Sequence, residues 1–434
     1  MLLTSIVLIG LLFLLLGTSL WIAPTMLLVG IIAMTLFSAS PAGLVMSTTI
    51  WGASTSWTLT ALPLFIWMGE ILYRSRLSED MFSGLSPWMS RLPGRLLHVN
   101  ILGCAVFAAV CGSSAATSMT VGKISLPELK KRGYDEPLSI GTLCGSGTLG
   151  LMIPPSIMMI VYGVAAEVSI VQLFVAGVLP GLMLIALFMG YVMLWAWRNP
   201  AKMARVEAEP RLSLREKIWR SRRLIPVLLL VFAVIGSIYT GVATATEAAV
   251  LGVVGSLILS ASTGSLTWAN FVSGLRGAMV TSCMMTFILA CAAFLANAMG
   301  FTGLPKALAA GIGAMELSPI VLLLALTVFY MVLGCFLDGI SMVVLTTSII
   351  MPLVAASGFD LVWFGIYVVI VCEMAQITPP VGFNLFALQS LTGKNIFNIA
   401  RATLPFFILL AIAIALLVMF PEIALYLPHK MKGA

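Results

Sequence analysis

Residues 96–131 read LLHVNILGCAVFAAVCGSSAATSMTVGKISLPELKK. The stretch begins apolar, but its centre, Cys111-Gly112-Ser113-Ser114-Ala115-Ala116-Thr117, is small and polar. It is too long for one membrane span and too short for two. Arms of about 14 residues rise only about 20 Å at 1.5 Å per residue, whereas the hydrocarbon core of a bilayer is about 30 Å thick. The solution is a re-entrant hairpin that enters and leaves on one side, with its non-helical tip buried in protein or lining a wet cavity. A second such stretch, 318–357, has its polar centre from Gly334 to Ser341, around Asp338-Gly339.

The two stretches stand in register at an offset of 225 residues. Pro127 matches Pro352, Gly133-Tyr134-Asp135 matches Gly358-Phe359-Asp360, and Pro154-Pro155 matches Pro379-Pro380. Leu179-Pro180 matches Leu404-Pro405, and Ser113 falls opposite Asp338. Each proline removes a backbone donor and bends or ends a helix, so shared prolines mark repeated structure. Spans are expected near 2–22, 24–50 and 57–74, then near 224–242, 246–262 and 276–300. In each half a hairpin follows (96–131; 318–357), then a span broken at Pro-Pro (137–165; 360–390) and a last full span (171–197; 397–420). The first repeat is thus 1–197 and the second 224–434, joined by a linker at 198–223.

Composition fixes the class. Of 434 residues 61% are hydrophobic and 9% charged, against about 25% charged in soluble domains. The N-terminus lacks a basic region, so Leu2–Ile22 reads as a retained span rather than a cleaved leader. The apolar runs are continuous, unlike the alternation of a membrane β-barrel. The seven cysteines form no CxxC pair and read as packing residues, and two distant histidines make a His-based metal site improbable. The net charge of +7 does not point to nucleic acid, because nine basic residues crowd 198–223. That is the pattern of a cytoplasmic loop, whose surplus charge suits anionic membrane lipid.

Five crossings per half then place the first hairpin's base inside, flanked by Arg91, Arg95, Lys130, Lys131 and Arg132, and the second hairpin's base outside, flanked by Lys306 alone. Lys394 and Arg401 fall inside and both termini outside, with Lys430 and Lys432 running against the rule. The expected fold is an all-α polytopic membrane protein of two inverted repeats, each with five crossings and one re-entrant hairpin. Such folds belong to ion-coupled transporters with midplane sites at broken helices.

The tip Gly112 to Thr117 is expected to face Gly150 to Pro155, and Gly334 to Gly339 to face Thr378 to Asn384. Prolines free upstream carbonyls and glycines allow close approach. With Ser and Thr hydroxyls these make an oxygen shell for a cation, while helix N-termini favour an anion. Small residues also serve plain helix packing, but two patches in register beside two Pro-Pro breaks favour a site. The first candidate cation site is Ser113, Ser114, Thr117, Gly150, Ile153 and Pro154, and the second is Gly334, Asp338, Gly339, Thr378, Pro379 and Gly382. Residues expected to face a substrate are Ser113, Ser114, Lys123, Asp338, Ser341 and Asn384.

A charge at the bilayer centre costs about 2.5–3.5 kcal/mol, so Asp338 reads as a cation-site or gating acid, or as a helix cap. Lys123 could attract an acidic substrate or simply snorkel. Glu247 and Glu373 read as structural hydrogen-bond partners within spans, and Glu70 and Glu167 as residues near span ends. The enzyme reading fails. There is no phosphate-binding loop and no H-E-x-x-H, and Cys144-Gly145-Ser146-Gly147 lacks both the first glycine of a nucleophile elbow and an intramembrane His as base. The energy must come from an ion gradient or from the solute. No cofactor is expected beyond a coupling cation.

The runs Gly112-Ser113-Ser114-Ala115, Lys130-Lys131-Arg132-Gly133-Tyr134-Asp135, Ile153-Pro154-Pro155-Ser156 and Tyr162-Gly163 resemble the large permease subunit of tripartite ATP-independent periplasmic (TRAP) transporters. So do Gly334-Cys335-Phe336-Leu337-Asp338 and Ile377-Thr378-Pro379-Pro380-Val381-Gly382 with Asn384-Leu385. The resemblance covers essentially the whole chain. It implies Na+-driven, elevator-like import of an organic acid such as a C4-dicarboxylate or sialic acid across the bacterial inner membrane. It also implies two partners, a small four-helix membrane subunit on a separate chain and a periplasmic substrate-binding protein. Carried over by position, Ser113, Ser114, Gly150 and Pro154 line one sodium site, and Gly339, Thr378, Pro379 and Gly382 line the other. Competing readings are a free-standing divalent-anion/sodium symporter, a channel and an intramembrane enzyme.

Overall fold

The computed structural model describes residues 2–18, 20–203, 212–303, 318–335, 337–380 and 382–432. Arg205, Arg211, Lys306, Phe336 and Val381, all used in the sequence reading, lie outside the described residues. Among the described residues the regular structure is helical throughout. The first half runs α1 (Leu2–Gly17), α2 (Ile22–Phe37), α3 (Ala42–Ser54), a 3₁₀ turn (Trp57–Thr60), α4 (Ala61–Tyr73), α5 (Leu77–Met89), α6 (Leu97–Cys111), α7 (Ser114–Lys131), α8 (Glu136–Gly147), α9 (Leu149–Met152), α10 (Ile157–Ala165) and α11 (Ile170–Arg198). Two short helices follow, α12 (Pro200–Met203) and α13 (Leu214–Ser221). The second half runs α14 (Ile225–Tyr239), α15 (Ala245–Ser262), α16 (Trp268–Thr302), α17 (Pro319–Leu333), α18 (Gly339–Ala356), α19 (Leu361–Gln376), α20 (Phe383–Thr392), α21 (Ile396–Met419) and α22 (Glu422–Lys432).

The register found in the sequence is also a register of helix caps. Ser113 caps α7 and Asp338 caps α18, each helix having 18 residues. Asp135 caps α8 and Asp360 caps α19. These caps matter because the first four N–H groups of a helix have no partner of their own. Pro154-Pro155 and Pro379-Pro380 are cis in both halves.

Contacts at the helix ends show that the halves are inverted. The first broken helix (α8–α10) leaves the base of the first hairpin at Asp135 and bends by 42°. Near its far end the Tyr162 hydroxyl donates to the Leu361 carbonyl at 2.7 Å, at the base of the second hairpin. The second broken helix (α19–α20) makes the return journey, since Lys394 beyond its end pairs with Glu136 at 2.7 Å. The hairpins therefore enter from opposite ends of the molecule. Lys202 reaches Asp135 at 2.6 Å, which puts the start of the linker at the first hairpin's end.

Around the hairpins stands a second body made of α2, α3, α4, α15 and the 35-residue α16. Its close packing rests on small residues: a methyl on Gly30 would lie 2.7 Å from the Phe294 ring, and one on Gly252 would lie 2.5 Å from the Met68 sulfur. Leu229, Phe232, Ile258, Ile320, Leu324 and Val328 are exposed. An apolar exterior of this extent suits lipid and not water.

Four expectations need correction. The span drawn at 24–50 is two helices, because Ser38-Ala39-Ser40-Pro41 interrupts it and Pro41 cannot supply a helical donor. The linker is not plain loop. A side-chain/backbone capping box at Ser213–Glu216 starts α13, which docks on α5, a helix the hydropathy reading missed. There the Trp88 indole donates to Ser221 Oγ at 2.8 Å, and Ser221 in turn donates to the Gly84 carbonyl at 2.7 Å. A helix also follows the last span, at Glu422–Lys432. Glu247, placed within a span, instead closes a capping box with Thr244 at the exposed start of α15, although its role is a structural hydrogen bond as read.

Candidate functional site

A cavity of about 1410 Å³ opens between the two bodies. Both hairpin tips reach it. Ser113, Ser114 and Ala115 arrive from one, and Asp338, Gly339, Ile340 and Ser341 from the other. The broken helices contribute Leu151 and Gln376, and the opposite wall comes from α1, α2 and α16. Among the described residues that line it there is no Lys, Arg or His.

At the first tip α6 ends on Gly112, whose φ of +62° is the left-handed conformation that glycine adopts freely. The same residue lies against the Pro155 carbonyl: a methyl there would come within 3.3 Å of that oxygen. The chain then extends at Ser113, whose hydroxyl accepts from the Ala116 N–H at 3.5 Å. The Ser113 carbonyl accepts from both the Thr117 N–H at 3.0 Å and the Thr117 hydroxyl at 2.7 Å. Gly150 closes on this tip so tightly that a methyl would lie 2.5 Å from Ser114 Cα and 2.6 Å from the Ser113 oxygen. Pro154 and Pro155 have no N–H to give to Gly150 and Leu151. The Leu151 carbonyl is satisfied instead by the Ser156 hydroxyl, at 2.5 Å. The Gly150 carbonyl is thus left without its helical donor.

The second tip is built on the same plan from different residues. Asp338 caps α18, accepting from the N–H groups of Ile340 at 3.2 Å and Ser341 at 3.4 Å and from the Ser341 hydroxyl. Gly334 packs directly on Ala375, and the Cys335 thiol lies 3.7 Å from the Pro379 carbonyl. The break itself turns at Gly382, with φ +41°, and a methyl there would lie 2.8 Å from the Thr378 oxygen and 3.0 Å from the Gln376 oxygen. Pro380 cannot donate to that Gln376 carbonyl. Each tip is therefore seated on a proline break whose glycine packs directly against carbonyl oxygens.

The two halves also exchange hydrogen bonds at the centre. Ser114 Oγ donates to Gln376 Oε1 at 2.9 Å. The Leu151 N–H donates to Glu373 Oε1 at 3.2 Å, while Glu373 Oε2, on a residue 1% exposed, has no partner among the described residues.

The structure sorts the predicted residues into two layers. Ser113, Ser114, Asp338, Gly339 and Ser341 line the cavity. Thr117, Gly150, Ile153, Pro154, Gly334, Thr378, Pro379 and Gly382 lie behind them, on the tips or at the breaks. Two substrate-facing assignments do not fit. Lys123 lies nine residues along α7 from Ser114, about 13 Å at 1.5 Å per residue. It lines a separate cleft of about 270 Å³ with Lys130, Tyr134 and Glu136. Asn384 is fully buried with neither amide atom partnered among the described residues, and it is its neighbour Phe383 that meets the cavity. Consecutive helical residues point about 100° apart, and here the Asn384 side chain turns inward while Phe383 turns to the cavity. Sequence reasoning missed Gln376. The available signal was a second polar residue one turn beyond Glu373 in the otherwise apolar Leu361–Gln376.

Known proteins agree with this architecture. The chain is 31% identical over 377 residues to the C4-dicarboxylate TRAP transporter large permease protein DctM of Pseudomonas aeruginosa, covering 87% of each chain. It is 29% identical to the ectoine TRAP transporter large permease protein TeaC of Halomonas elongata, covering 85% of this chain and 86% of that one. It is also 29% identical to the isethionate TRAP transporter permease protein DctMQ of Oleidesulfovibrio alaskensis, covering 86% of this chain and 58% of that one. The fold is shared with the YdaH transporter of Alcanivorax borkumensis at 13% identity and a TM-score of 0.65, over 94% of this chain and 97% of that one. The family model of the tripartite ATP-independent periplasmic transporter DctM component matches residues 9–423, and the chain belongs to that family of membrane permeases.

Proposed function

We propose that this permease carries an organic anion inward across the bacterial inner membrane, driven by sodium, with a separate small membrane subunit and a periplasmic binding protein that delivers the solute. One observation carries the reading: two re-entrant tips and two proline-broken helices, from inverted halves, converge on a single cavity. Unwound backbone carbonyls at such breaks suit a monovalent cation, and helix N-termini suit an anion. Two sodium sites follow, Ser113, Ser114, Thr117, Gly150, Ile153 and Pro154 at one break and Gly334, Asp338, Gly339, Thr378, Pro379 and Gly382 at the other. Relatives are named for C4-dicarboxylates, isethionate and ectoine, which supports an acidic or zwitterionic solute; sialic acid belongs to the same class. The cavity lies between the hairpin body and the α2–α4, α15, α16 body, a placement that supports elevator-like movement of the first against the second. The basic linker and Lys394 lie at one end of the molecule, which supports a cytoplasmic first hairpin base and periplasmic termini.

The test is uptake into proteoliposomes holding both membrane subunits, with succinate, isethionate and ectoine as probes. Uptake should require an inward sodium gradient and the binding protein. Uptake indifferent to the binding protein would move the chain to a free-standing anion symporter, and passive, sodium-independent flux would make it a channel.

A further inference from the structure

Gln376 stands where the two tips meet. It ends α19, is 3% exposed and lines the large cavity. Its carbonyl oxygen accepts from Ser114 of the first tip at 2.9 Å. Its amide nitrogen lies on the side of Gly339 of the second tip, where a methyl would come within 2.5 Å of it, and among the described residues it has no hydrogen-bond partner. A buried donor left without an acceptor carries a desolvation penalty. Glycine at 339 is what lets the amide nitrogen pack against the second tip. The Ser114 hydroxyl has one proton, and giving it to Oε1 fixes the nitrogen end of the amide toward the second tip.

The surroundings select the ligand. An N–H donor seeks an acceptor, and the N-termini of α7 and α18, both 18-residue helices, add positive potential on the same side. No basic side chain lines the cavity among its described residues, and Asp338 is its one acid. An anionic oxygen bound here therefore depends on neutral donors and on a cation. We infer that Gln376 is a solute-binding residue. Its Nε2 donates to a carboxylate or sulfonate oxygen of the transported acid, and Ser114 links that donor to the cation at the first tip. A sodium ion drawing on the Ser114 oxygen lone pairs polarises its O–H, which strengthens the bond to Oε1 and makes Nε2 a better donor. Cation and solute then support each other through one side-chain amide. The assignment rests on the proposal that the cavity carries an organic anion.

The test compares wild type, Gln376→Met and Gln376→Glu in proteoliposomes with both partners, using whichever of succinate, isethionate and ectoine the wild type takes up. Gln376→Met removes the donor and should raise the solute concentration for half-maximal uptake about tenfold or more, the scale of a hydrogen bond to a charged group. Gln376→Glu places an acceptor where the donor stood and should be worse than Met. In both, the fall in half-saturation that sodium produces in wild type should flatten. Half-saturation and sodium dependence equal to wild type in Gln376→Met, or tighter binding in Gln376→Glu, would overturn the assignment while leaving the importer intact. A wild type with no sodium-dependent uptake sinks the importer reading and this inference together. Should neither variant insert, Gln376→Asn keeps the amide but withdraws it by one methylene, and should raise the half-saturation for solute and flatten the same sodium dependence; wild-type values there overturn the assignment.

Discussion

The seating of the first tip on its break can be tested with one methyl group. In Gly150→Ala the new carbon lies 2.5 Å from Ser114 Cα and 2.6 Å from both the carbonyl carbon and the oxygen of Ser113. Non-bonded carbons settle at about 3.5–4.0 Å, so the tip must retreat by about 1 Å. All three neighbours are backbone atoms and cannot rotate aside. The cost falls at the upper end of the ~1–3 kcal/mol typical of overpacking, and the helix propensity of alanine offsets at most about 1 kcal/mol of it. About 2 kcal/mol remains against the seated tip, which corresponds to roughly thirtyfold in an equilibrium constant. The sodium concentration for half-maximal uptake should rise by that order, with the protein still inserted. Gly190→Ala is the control, since a methyl there meets nothing within 4 Å. It should leave the sodium curve untouched and raise the melting temperature slightly. A Gly150→Ala protein with a wild-type sodium curve would refute the idea that this tip and break form a cation site.

Three further outcomes follow from the same geometry. Asp338→Asn keeps a side chain that caps helices as well as Asp does but removes the charge, so uptake should fall at least tenfold while melting temperature stays within a few degrees; wild-type uptake would remove the carboxylate from the mechanism. Thr378→Ala deletes a hydroxyl that donates to Met374 O at 2.7 Å and should raise the sodium requirement several-fold, an effect an unchanged sodium curve would exclude. Trp88→Ala removes both the indole donor to Ser221 and the ring beneath Lys217; tryptic cleavage within 213–223 should accelerate while uptake is retained, and equal cleavage rates would show that α13 is held by something else.

The features that repeat were legible in the sequence, because a proline or a tip glycine acts on its own backbone. Pro154-Pro155 and Gly112 break or end a helix wherever the chain goes, and a polar centre in a segment too short to span twice announces a hairpin. Residues whose role depends on a distant partner were not legible. Gln376 matters through Ser114, 262 positions away, and Glu373 through Leu151, 222 positions away. Lys123 was misjudged for a related reason: composition placed it in the hairpin, but only its depth along α7 separates it from the tip. The break at Ser38–Pro41 sits between two apolar runs that hydropathy alone merges. Helix α5 escaped because its apolar residues share it with Glu79 and Asp80 in the first turn.

The bare cavity wall bears on coupling. A dicarboxylate entering alone would bring two negative charges toward Asp338, in a space whose other described lining residues are uncharged. The two helix N-termini supply about half a positive charge each, which is far too little to balance three. Under the proposed sodium coupling, cations at the tips make up the difference, so an anion without sodium is repelled and leak is suppressed. By linkage the effect is reciprocal, and the solute must tighten sodium by the factor that sodium tightens the solute. This reasoning predicts that a fixed positive charge can stand in for the ion. Leu337 lines the cavity beside Asp338, and Leu337→Arg should allow solute binding in sodium-free buffer, measured by scintillation proximity on the purified complex with wild type as the silent control. It should also abolish concentrative uptake, because a charge that never leaves cannot report the gradient. A Leu337→Arg protein that inserts, folds and still binds solute only with sodium would show that sodium acts by shaping the tips and not by balancing charge.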